Sequence, residues 1–150
     1  MPTPGTGIEI IDLPETETHN AAALIGHAFF LDPIWQYVVP EEERRSSLLS
    51  NLAIGWIKHA RLSGYVWTTL DRHGVSLRRK PGHYVISYQD AVATGLAFER
   101  AKLGEKAFLR LTDCWRELQK HHEKFASAQS LYLWLSAVDL NYRGLGLAGH

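Results

Sequence analysis

The chain has 150 residues, 45% of them hydrophobic and 11% aromatic, enough for a single domain with a sizeable core. Sixteen Lys and Arg balance sixteen Asp and Glu, so no broad field draws in nucleic acid or an anionic membrane, and neither is expected as a partner. The single cysteine, Cys114, rules out an internal disulfide and a multi-cysteine zinc site, and no metal site is expected. No apolar run approaches the roughly 18 residues of a membrane span, and Met1 to Gly7 lacks the basic start of a signal peptide, which together predict a soluble cytoplasmic protein.

In chain order, the β-branched run Gly7 to Leu13, followed by Pro14, predicts a first strand. Thr16, Thr18 or Asn20 caps a helix running to about Phe30, with Ala22, Ala23, Ile25, Phe29 and Phe30 on its buried side, and Asp32-Pro33 breaks it. The aromatic-rich segment from Phe29 to Arg45, with Trp35 and Tyr37, reads either as core beneath a loop or as an exposed substrate wall. Pro40 and three glutamates then start a helix to about Leu62, whose Leu48, Leu49, Leu52, Trp56, Ile57 and Ala60 recur at helical spacing. Lys58, His59 and Arg61 near its end suit the negative pole of the helix dipole.

Gly64 ends that helix. Tyr65 to Leu70 and Val75 to Leu77, joined by Asp71-Arg72-His73-Gly74, predict an antiparallel hairpin. Arg78, Arg79 and Lys80 read as a solvated strand end, with contact to an anionic ligand as the alternative. Beyond Pro81-Gly82, His83 to Ile86 is expected to be extended and Tyr88 to Leu103 helical. A further helix after Gly104 carries Phe108, Leu111, Trp115 and Leu118 on one face and ends near His121-His122. Those adjacent histidines point about 100° apart on a helix and make a poor chelate. Cys114 reads as a small buried or half-buried helical residue rather than a nucleophile.

Leu131 to Val138 is rich in aromatic and β-branched residues and predicts a central strand buried on both faces. After a polar turn, Asp139 to Tyr142, comes Arg143-Gly144-Leu145-Gly146-Leu147-Ala148-Gly149. Glycines after a strand leave backbone N–H groups free to converge on an anion, a phosphate or pyrophosphate above all.

A strand closing on Ala-Val-Asp, then an aromatic, then Arg143, Gly146 and Ala148 at fixed spacing resembles the acetyl-CoA-binding motif of the GNAT acyltransferase superfamily. Leu140 stands where that motif usually has proline. The resemblance implies an α/β domain over residues 1–150 with an α+β mixed sheet, acyl-CoA N-acyltransferase-like, and acetyl-CoA as cosubstrate. It implies a small-molecule or peptide amine as acceptor.

Ala137 and Val138 would pair with pantetheine. Arg143, Gly144, Leu145, Gly146, Leu147 and Ala148 would hold the pyrophosphate through main-chain N–H groups, and Trp35 and Tyr37 would contact the acceptor. The chain stops at His150, two residues past Ala148 and short of the helix that the family motif opens, so the domain is expected to be C-terminally incomplete. No catalytic acid or base is assigned, Glu99, Glu117 and Tyr132 included.

The alternative function is a non-catalytic or truncated acyltransferase remnant acting as a binding or interaction module, associating with itself through an exposed sheet edge. A third reading takes Gly144 to Gly149 as a GxGxxG dinucleotide fingerprint, but the preceding order of elements is wrong for it, and the Lys-Ser/Thr pair of an ATP-binding loop is lacking.

Overall fold

The hydrophobic patterning of the chain resolves into an α+β arrangement in a computed structural model that describes residues 7–149. Strand β1 (Ile10–Asp12) leads through a 3-10 turn into α1 (Thr18–Ala28), α2 (Pro33–Val38) and α3 (Glu42–Ser63). The hairpin β2 (Gly64–Thr69) and β3 (Gly74–Arg79) comes next, then α4 (Tyr88–Thr94), α5 (Glu99–Leu103) and α6 (Glu105–Phe125), and finally β4 (Tyr132–Val138). The sheet order is β1-β2-β3-β4, and all three pairings are antiparallel. Among the described residues the expected mixed sheet thus has no parallel component.

Three local expectations are corrected. β4 is not a central strand but lies at the edge of the four-stranded order, and only Ala137 of its residues is buried. Residues 83–86 form coil with a bend at Val85 rather than an extended strand. The Asp32-Pro33 break does end α1, but it also starts α2: the Asp32 carboxylate accepts from the N–H groups of Ile34 and Trp35, and Pro33 takes the first helical position.

The core is built on α3. Leu49, Leu52, Ala53, Ile57 and Ala60 are buried, and they pack with Ile25 of α1 and with Val75 and Leu77 of β3 into one apolar cluster. Arg45 fastens the turn that precedes α3, donating to the carbonyls of Phe30, Val39 and Pro40. Arg61 does not serve the helix pole; it reaches back to Thr18 and to the carbonyls of Leu13 and Pro14. His59 is not a solvated pole residue either, since it is buried and edge-on to Trp134.

No loop separates α3 from β2. Gly64 makes the corner because a Cβ there would stand 1.9 Å from the Arg78 carbonyl oxygen. No helix among the described residues is long and apolar enough to cross a membrane.

Candidate anion-binding turn and groove

β4 delivers the glycine turn to the C-terminal end of α1. Val138 pairs with Gly74, and the Asp139 N–H donates to the His73 carbonyl at 2.8 Å, so the turn starts locked against the β2–β3 hairpin. Asp139 then caps a short 3-10 turn, Leu140–Tyr142, by accepting from the Asn141 N–H at 2.9 Å. That cap, together with the parallel stack of His73 on Tyr142, gives the turn rigidity without a proline at position 140. Arg143 donates through Nη2 to the Ala28 carbonyl at 2.8 Å, tying the turn to the last residue of α1. Its side chain positions the loop.

Gly144 and Gly146 have φ of 79° and 81°, in the left-handed region that residues with a Cβ enter only at a cost. These two glycines alternate with Leu145 and Leu147 and turn the main chain outward. Among the described residues the amides of Gly144, Leu145, Gly146, Leu147 and Ala148 donate to no acceptor within the chain, whereas the Gly149 N–H donates to the Gly146 carbonyl. Free amides on a left-handed turn form an anion-binding concavity. Space is available too, since a Cβ built at either glycine meets nothing within 4 Å.

An open groove of about 500 Å³ runs beside the turn, between the end of β4 and the α1–α2 connection. Of the residues expected to hold the cofactor, Ala137, Val138, Arg143, Gly144, Leu147 and Ala148 line it. Leu145 and Gly146 stand outside that lining, and Leu145 is exposed. The opposite wall is Ala28, Phe29, Leu31, Asp32 and Pro33. All but Ala28 belong to the aromatic-rich segment that the sequence offered as either core or a substrate wall.

The two expected acceptor contacts part company. Trp35 is buried against Trp56, ring centroids 5.5 Å apart, and edges a smaller cavity of about 170 Å³ together with Phe29, Asp32, Trp56, Trp115 and Trp134. Tyr37 is exposed, lies outside both the groove and this cavity, and faces the Arg110 guanidinium instead. Helical spacing explains this: two positions apart on α2, the residues point to different faces.

Charged residues behind β4 were the larger omission. Arg79, expected to be solvated, is buried, with its guanidinium carbon 3.7 Å over the Trp134 ring, and burial lowers its pKa to about 10. Glu99 accepts from Trp56 Nε1 at 2.6 Å, and burial raises its pKa above the usual carboxylate value. Among the described residues no group of three or more His, Cys, Asp or Glu is placed to hold a metal ion. No protein-family model matches the chain, and comparison with curated proteins finds no match.

Proposed function

We propose that this chain is an acetyl-CoA-dependent N-acetyltransferase domain of the acyl-CoA N-acyltransferase type, acting on an amine. The observation that carries the reading is the run of free amides from Gly144 to Ala148, held beside β4, with Gly144, Leu147 and Ala148 lining a groove. The donor set fits the ligand: main-chain N–H groups suit a pyrophosphate, and a groove with apolar walls suits a pantetheine arm. Bound there, acetyl-CoA would supply an acyl thioester: a neutral amine would form the new C–N bond and lose a proton as the C–S bond breaks, and CoA would leave as the thiol.

The chain's own part is binding and orientation. Gly144 to Ala148 present amides to the diphosphate, Arg143 anchors the loop to α1, and Ala137 and Val138 line the path of the arm. Phe29 and Asp32 stand where the groove meets the smaller cavity, the route by which an amine approaches.

Isothermal titration of the 150-residue chain with CoA tests the reading. Micromolar binding that is lost on adding a side chain at Gly146 is the expected result. A folded chain that ignores CoA overturns it. A second reading, an interaction module, is favoured by one observation: the outer edge of β4 has no strand partner among the described residues. Light scattering across a hundredfold range of concentration separates the two, because edge pairing requires a mass that rises with concentration.

A further inference from the structure

Behind β4, on the side of α3 and α6, lies a second and larger cavity of about 690 Å³, within the range of small-ligand sites. Its walls are mainly aromatic, with Trp56, Tyr84, Trp115, Tyr132 and Trp134 prominent. One strongly basic and one acidic side chain share these walls, Arg79 and Glu99, with His122 beside the tyrosines.

Arg79 is only 6% exposed. Its Nη1 donates to the Tyr84 carbonyl at 3.1 Å, and its Nε has no partner among the described residues. Stacking on Trp134 covers one face of the guanidinium and leaves its N–H edge for another group. No carboxylate forms an ion pair with it among the described residues.

Glu99 stands at the start of α5 and gives one oxygen to Trp56 Nε1. Among the described residues it too has no ion-pair partner. Each group feels the charge of the other, yet the two do not pair. A charge removed from water without a counter-charge is costly, so buried Arg79 and half-buried Glu99 on one cavity call for a ligand that meets both.

We propose that this cavity binds a free α-amino acid with a large apolar or aromatic side chain. Its carboxylate sits on Arg79, its ammonium on Glu99, and its side chain among Trp56, Trp115 and Tyr132. A simple acid or a simple amine would leave one wall charge unmet, whereas a zwitterion answers both. Aromatic walls then select the side chain by area and by ring stacking.

The cavity shares Trp56, Trp115, Leu118 and Trp134 with the smaller one, which reaches Phe29 and Asp32 at the groove. On that path the bound amino acid is the amine acceptor, its ammonium first giving up a proton to solvent so that the neutral amine is the nucleophile. This last step rests on the proposed acyltransferase function; the binding site itself does not.

Isothermal titration of the 150-residue chain with L-phenylalanine, 3-phenylpropionate and 2-phenylethylamine tests the proposal. Phenylalanine is expected to bind at least tenfold more tightly than either singly charged analogue. Arg79→Gln should bring phenylalanine down to the level of phenylethylamine, and Glu99→Gln to the level of phenylpropionate. Leu118→Trp fills the cavity from a part-exposed helical position, so it should abolish binding even if the Arg79 variant fails to fold.

Equal affinity for all three probes, or no binding by a folded chain, overturns the proposal. A parallel CoA titration separates the failures. Amino-acid binding without CoA binding sinks only the acyltransferase reading, and CoA binding without amino-acid binding sinks only this one.

Discussion

Helix α3 and the glycine turn after β4 hold their shape by opposite means. Along α3, buried Leu49, Leu52 and Ile57 are fixed from all sides by apolar neighbours, and the backbone spends its hydrogen bonds on the helix itself. In the turn the side chains are largely exposed, and shape comes from one carboxylate cap, one ring stack and one guanidinium on a carbonyl. Side chains carry the stability, while the main chain carries the candidate binding chemistry. Substitutions in the two regions should therefore be read out by different instruments.

Leu52→Ala is the largest expected effect. Removing a fully buried side chain beneath the sheet should cost about 2–5 kcal/mol of stability, measured by urea unfolding. A loss under about 1 kcal/mol would break the contrast from the α3 side. Gly146→Leu should do the reverse, weakening CoA binding at least tenfold, while a strain of about 1–2 kcal/mol lowers the melting temperature only modestly. Unchanged CoA affinity would remove the turn from the site.

His59 sharpens the comparison, because it puts a polar group inside the stable region with neither ring nitrogen partnered. Burial, and then the nearby Arg79 charge, hold its pKa below the ordinary 6.5. The unfolded chain therefore takes up the proton first as pH falls. Its stabilising share is complete above pH 6.5 and declines below it, toward the depressed folded value. His59→Leu should flatten that slope in a pH series of unfolding curves and leave stability at pH 7 unchanged or about 1 kcal/mol higher. A slope that survives the substitution assigns it to another group.

Arg143→Ala should be mildest, loosening CoA binding about threefold with little change in melting. One exposed hydrogen bond is lost, and the free amides stay in place.

The elements of this fold were legible wherever a periodic pattern met a strong stop. Pro40 with its glutamates, the leucine spacing of α3 and the Gly64 boundary were readable because propensity, acidic residues in the first turn and burial agree there. The glycine turn was legible for the same reason, since spacing and chirality both demand glycine. Position in the sheet was not legible for β4: an apolar run looks alike at the centre of a sheet and at an edge that helices cover on one face. Arg79 was misread because a run of three cations looks solvated, although strand alternation sends its middle member to the face opposite its neighbours. Glu99 carried no local signal at all. Its role depends on Trp56, which is far away in sequence and meets it only after the chain has packed.

The placement of α4, α5 and α6 between β3 and β4 also has a consequence in time. β1, β2 and β3 can assemble with α1 and α3 through short connections, whereas pairing Arg79 with Tyr132 must first close the long span of chain that separates them. Closure of such a loop carries an entropic cost that local hairpins avoid, and non-local pairings of this kind slow folding. The strand that carries the glycine turn is therefore expected to dock last in folding and to release first in local opening. Amide exchange should find β4 less protected than β2, so that a ligand bound at the turn acts as a late clasp on a sheet already half built.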